Sequence, residues 1–97
     1  MIDDFTLEQC RKDREILQLK IKNLEHGINE AEKMIAESHM NDEALTFLRR
    51  KVAESNQDLA ILYAKNNKTD KALTSILKAI SLDPENKKNK EIKALLN

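Results

Sequence analysis

Three side chains in this sequence are the obvious candidates to hold a transition metal: Cys10, His26 and His39. A zinc site gathers about four such ligands at short loop or one-turn spacings. Cys10 and His39 are 29 residues apart. If one helix carries both, they are separated by about 43 Å at 1.5 Å per residue. No shared metal is therefore expected, and His26 falls off the apolar stripe of its segment, as a solvated histidine does. Carboxylates are plentiful, but most stand at helix starts or at helical spacing from a cation, such as Glu8 with Lys12. That spacing describes a solvated helix face. The chain carries no glycine-rich phosphate loop and no nucleophile motif, and no histidine and carboxylate are placed to act together. No catalytic residue and no cofactor are expected, and the chain is not expected to be an enzyme. The basic run "NKKNKEIK" near the end could meet an anion or a nucleic acid. It has no aromatic neighbour to stack on a base, and cations suit the C-terminus of a helix.

With no chemistry of their own, the residues must be read for what they build. The chain has 97 residues, 35% of them charged, with one Gly and one Pro. That length allows one domain near the small end of what can bury a core, and that composition points to helices. Lys and Arg number 17 and so do Asp and Glu, for a net charge of zero. No overall field draws the molecule to nucleic acid or to a membrane surface. No apolar run reaches the roughly 18 residues of a membrane span. The acidic start "MIDDFTLEQC" is unlike a signal peptide, and a single cysteine suits a reducing compartment, so a cytoplasmic location is expected.

Apolar residues recur at Leu7, Cys10, Leu17, Ile21, Leu24, Ile28, Ala31 and Ile35, with Arg14 the one polar break. Steps alternating between three and four over about four heptads predict a long helix with a coiled-coil seam. Thr6 with Gln9 three residues later has the pattern of a capping box. Gly27 costs about 1 kcal/mol relative to Ala, but the seam continues on both sides of it, so the helix is expected to run over 6–38. "ESHMND" breaks the pattern, and Asn41 or Asp42 can cap a second helix over 42–66. Its seam is Leu45, Leu48, Val52, Ser55, Leu59 and Leu62. Folding the two about residues 39–41 sets Ile35 opposite Leu45, Ala31 opposite Leu48, and Ile28 opposite Val52. Ile21 then meets Leu59, Leu17 meets Leu62, and the polar breaks Arg14 and Asn66 face each other. "KNNKTD" is the next turn, where Asn66 or Asn67 can take the left-handed conformation and Thr69 or Asp70 can cap a third helix over 69–82. "DPEN" ends that helix, and Pro84 suits the first turn of a last helix over 85–96. The expected architecture is all-α and single-domain: a long antiparallel hairpin, a third helix, and a short capping helix.

The 34 residues from Ala53 to Asn86 resemble one tetratricopeptide repeat. Leu59-Ala60 stands at the family's Leu-Gly or Leu-Ala pair and Tyr63 at its first-helix tyrosine. Ala72 and Ala79 take the two small places of the second helix, Ile76 takes its large apolar place, and Pro84 closes the unit. Asn56 stands where the family usually has an aromatic residue, and Asn67-Lys68 replaces a Gly-Asp-like turn. The resemblance implies that Ala60, Ala72 and Ala79 allow close helix approach while Tyr63 and Ile76 fill the space between. The motif is not repeated upstream, and only 11 residues follow it. The long first helix would then stand in for a preceding repeat's second helix, and the last helix, with Lys87, Lys88, Lys90 and Lys93 outward, would cap the stack.

A third helix of about 21 Å is too short to cover the hairpin tip. Met34, Met40, Phe47 and Leu48, with Ile35 and Leu45 beneath, are expected to form an uncovered apolar surface for a protein partner, either a helical segment or a second copy. The expected function is protein–protein interaction, as an adaptor, assembly or chaperone-like subunit. The family's peptide grooves take about three repeats, so a free-standing groove over Gln57, Ile61 and Lys65 is not expected. The alternatives are a small secretion-system chaperone subunit and a regulatory protein that binds nucleic acid through its C-terminal lysines.

Overall fold

The computed structural model describes residues 4–37, 39 and 41–96, and Met40 lies outside them. Among the described residues the chain forms four helices and no strand: α1 (Asp4–Glu37), α2 (Asp42–Lys65), α3 (Thr69–Leu82) and α4 (Lys87–Leu96). They build an elongated body of 58 × 27 × 17 Å. α2 is central: α1 packs on one side of it, α3 on another, and α4 against α3 and α2. No helix among the described residues is long and apolar enough to cross a membrane.

α1 and α2 form the antiparallel hairpin. Ile21, Ile28, Val52, Leu59, Tyr63 and Ala72 make one buried cluster, with Leu17, Leu24, Ala31, Ile35 and Leu62 packed around it. Gly27 lies in unbroken helix, and a Cβ there would meet nothing within 4 Å. The seam is not covered over its full length. Lys65, the last residue of α2, lies beside Asp13 and Leu17. Residues 4–12 of α1 therefore run on past the end of its partner, leaving Leu7 and Cys10 exposed. A 34-residue helix outreaches a 24-residue one.

Local chemistry sets the helix ends. Asn41 caps α2, its Oδ1 accepting from Ala44 N at 2.8 Å. Asn67 takes φ 57, and Lys68 N donates to Tyr63 O at 2.8 Å while Asn67 N donates to Ala64 O at 3.1 Å. This is a Schellman ending with Asn in the left-handed position. It runs straight into α3, so Lys68 stands at the N-cap and no side chain caps that helix. Thr69 and Asp70 are already helical, with Asp70 placed to meet the positive helix end. Three further expectations are corrected. α1 is helical from Asp4, so Thr6 lies within it and not at its N-cap, and Gln9 Nε2 donates to Asp13 one turn on. Glu8 pairs with Arg11 rather than Lys12. Pro84 lies in a turn closed by Asn86 N to Asp83 O at 3.2 Å, outside α4. Asp and Pro suit the first two places of such a turn. α4 begins at Lys87, behind Asn86, whose Oδ1 accepts from Lys88 N.

α3 approaches α2 closely because the contact is made by small residues. Ala53, Ala60, Ala72 and Ala79 are all buried, and Ile76 fills the space beside Ala60 and Ala79, backed by Leu73, Ile92 and Leu96. Asn56, where the resemblance would place an aromatic ring, is buried and folds its amide onto its own helix, donating to Val52 O at 2.9 Å. Tyr63 is buried between α2 and α1, and its hydroxyl donates to Glu25 Oε1 at 2.7 Å. In an antiparallel pair each side chain leans toward its own helix N-terminus, so these two lean toward each other. Burial first, then the hydrogen bond to the Glu25 carboxylate and its charge, push the Tyr63 hydroxyl up to about 12. An acid whose folded pKa is raised favours folding in its neutral form. Its contribution is complete below about pH 10, the ordinary tyrosine value, and is lost as pH rises toward 12. Tyr63→Phe should cost about 1 kcal/mol at pH 7. Urea melts at pH 7 and pH 11 should show the gap between native and variant narrowing. A gap that is constant or widens would contradict this placement.

Candidate functional site: an open trough on the second helix

α2 is enclosed by α1, α3 and α4 on three sides, which leaves one face open. Three adjoining clefts lie along it. Asp13, Ile16, Leu17 and Lys20 of α1 line the first with Leu62 and Lys65 of α2. Lys20, Asn23 and Leu24 line the second with Asp58, Ile61 and Leu62. Ala60, Ile61, Ala64 and Lys65 line the third with Ile92, Leu95 and Leu96 of α4. Shared residues join them into one trough, with the half-buried Ile61 and Leu62 at its floor, the exposed Lys65 at its rim, and α1 and α4 as its walls. Ile16 and Leu95 stand 53% and 86% exposed on those walls, a large apolar area for one small face.

Burial elsewhere holds the trough in shape. Gln57 Nε2 donates to Asn89 Oδ1 at 2.7 Å, an enclosed amide pair that ties α4 to α2 beside the third cleft. Asn89 Nδ2 has no partner within the chain. An unpaired buried N–H costs stability, so this pair sets the position of α4 more than it strengthens the fold. Lys78 of α3 reaches Glu32 of α1 at 2.5 Å, closing the opposite side of the hairpin.

The expected tip surface is divided by the fold. Met34 and Phe47 are 53% and 62% exposed. Leu48, Leu45 and Ile35 are half-buried, and Ile35 shares a cleft with Arg49, Val52 and Leu82, so the end of α3 does reach it. Phe47 carries the Lys51 ammonium over its ring at 5.5 Å. The residues quoted for the repeat resemblance come together: Leu59, Ala60, Tyr63, Ala72, Ile76 and Ala79 are buried at the α1–α2–α3 and α2–α3–α4 contacts, while Pro84 is exposed. Cys10, His26 and His39 are exposed. Among the described residues no three metal-ligating side chains are gathered.

Sequence reasoning placed no site in the trough, yet a signal for it stands in the chain. Residues 13–20 read "DREILQLK" and residues 58–65 read "DLAILYAK". Both carry Asp-x-x-Ile-Leu-x-x-Lys, and these two octads line the first two clefts together, one from α1 and one from α2. Comparison of the chain with known protein families, with curated proteins and with solved structures finds no match in any of the three.

Proposed function

We propose that this chain is a non-enzymatic protein–protein interaction module, a tetratricopeptide-like helix pair set between a long helix and a short cap, and that its trough receives an α-helical segment. What supports the reading is the uncovered apolar face of α2 between α1 and α4, where Ile16, Leu24, Ile61, Leu62 and Leu95 line adjoining clefts of the kind an amphipathic helix fills. The rim mixes two acids with two bases, so it suits a segment with both signs and offers no basic track for a phosphate backbone. Adaptor, assembly or chaperone-like subunits act through surfaces of this kind.

The test is affinity capture with the tagged chain, from native cells and from a mixture with untagged copies, alongside Ile61→Glu and Phe47→Glu. Ile61 is half-buried on the trough floor and Phe47 is exposed near the tip, so both variants should keep the helical circular dichroism of the native chain. A stoichiometric polypeptide held by the native chain and lost from Ile61→Glu is the expected result. Loss from Phe47→Glu alone would move the surface to the tip. Capture of no polypeptide would end the reading.

A further inference from the structure

The two octads do more than line the same trough. An antiparallel helix pair has an approximate twofold axis normal to its plane, which exchanges the helices and keeps each chain direction. That axis carries Asp13 onto Asp58, Ile16 onto Ile61, Leu17 onto Leu62 and Lys20 onto Lys65. Asp13 and Lys65 line the first cleft together, Lys20 and Asp58 the second, and the antiparallel pairing sets each acid opposite a base of the other helix. The rim is therefore a checkerboard of alternating sign around a centre of two isoleucines and two leucines. All four charged residues are exposed, and among the described residues none of them makes an ion pair within the chain. Among the described residues, three exposed ion pairs link neighbours one turn apart, and Lys78–Glu32 joins α3 to α1.

A checkerboard of this kind is complementary to itself. Turn a second copy face down about an axis parallel to the helices, and Asp13 meets Lys65 of the other copy while Lys20 meets Asp58. Turn it about an axis across the helices, and Asp13 meets the other copy's Lys20 while Asp58 meets its Lys65. Either twofold places four opposite-charge contacts around an apolar centre, the isologous arrangement of the commonest oligomers. A partner of one charge sign would meet repulsion at two corners. From this charge complementarity we infer that the occupant of the α1–α2 part of the trough is a second copy of the chain, and that the paired octads form the centre of a four-helix twofold dimer. The inference rests on the reading of this surface as an association site and names the partner.

Two charge-reversed chains test it. Asp13→Lys with Asp58→Lys makes the rim wholly basic; Lys20→Asp with Lys65→Asp makes it wholly acidic. The substituted residues are exposed, so both chains should keep the native helical signal. In sedimentation equilibrium the native chain should give the mass of a dimer, weakening as salt is raised. Each variant alone should dimerise about a hundredfold more weakly, because four attractive rim contacts become repulsive. An equimolar mixture of the two should recover the dimer mass as a heterodimer. A native chain that stays monomeric at millimolar concentration, or variants that dimerise as the native chain does, would overturn the inference. So would a mixture that fails to pair. The first of these outcomes, together with a captured polypeptide lost on Ile61→Glu, would remove the second copy as occupant and leave the trough as an association site for another protein.

Discussion

Ile28→Asp should unfold a large fraction of the protein at neutral pH. Ile28 is one of two buried side chains on α1, and it packs in the cluster with Val52 and Leu59 that holds α1 to α2. The substitution removes a buried aliphatic side chain, worth about 2–5 kcal/mol in comparable truncations. It also sets a carboxylate among the apolar side chains of that cluster. The group would resist ionisation and hold its proton to higher pH than a solvated aspartate. A domain of this size has only about 5–15 kcal/mol of stability in all, so the loss should consume most of it. The pH dependence gives the mechanism. A carboxyl whose folded pKa is raised does its damage above the unfolded value near 4, and the cost shrinks as pH falls and both states hold the proton. Urea melts followed by circular dichroism should place Ile28→Asp closer to native at pH 4 than at pH 7, with Ile28→Asn lacking that difference. An unchanged midpoint at pH 7 would mean that α2 does not cover this part of α1.

Ile76→Ala should cost about 2–5 kcal/mol, the range for losing a large aliphatic side chain from a packed interior. Ile76 is 0% exposed and is the one large apolar side chain of α3 enclosed so fully. Its neighbours Ala60 and Ala79 are too small to close the space it would leave, so a cavity should persist. Ile92 and Leu96 back onto the same cluster, and α4 has only 10 residues with which to hold its place. Helices that short have little stability apart from tertiary packing. The variant should therefore melt at a temperature lower by about 4–8 °C for each kcal/mol. Amide exchange should quicken first in α4 and later in α1. Loss spread evenly over the four helices would mean that α4 is not a separate leaf on this cluster.

The helices themselves are properties of short stretches of sequence, which is why they could be read without a structure. Asn41 caps α2 through its own side chain, Asn67 takes the left-handed angle that ends α2, and Asp83-Pro84 stops α3 within a single turn. Each effect acts over four or five residues. The alternation from Leu17 to Ile35 likewise states that this face of α1 must be covered, and α2 covers it. Where caps compete, local reading fails: the Schellman ending of α2 leaves no room for Thr69 or Asp70 to cap α3, and the Asp83–Asn86 turn takes Pro84 away from α4.

Periodicity says that a stripe will be buried, but not by how much partner or on which sides the partner is itself enclosed. Leu7 and Cys10 belong to the same stripe as Leu17 and Ile21, and they are exposed only because α2 ends beside Asp13. The open face of α2 is likewise what remains after α1, α3 and α4 have taken theirs. The alanines decide where α3 sits, and the Gln57–Asn89 pair helps decide where α4 sits. The two Asp-x-x-Ile-Leu-x-x-Lys octads were legible as text from the start. Only the antiparallel pairing of α1 and α2 places them side by side with opposite charges facing, because Asp13 and Lys65, 52 positions apart, and Lys20 and Asp58, 38 apart, come to line the same clefts through the packing of the whole hairpin and not through any local preference of the chain.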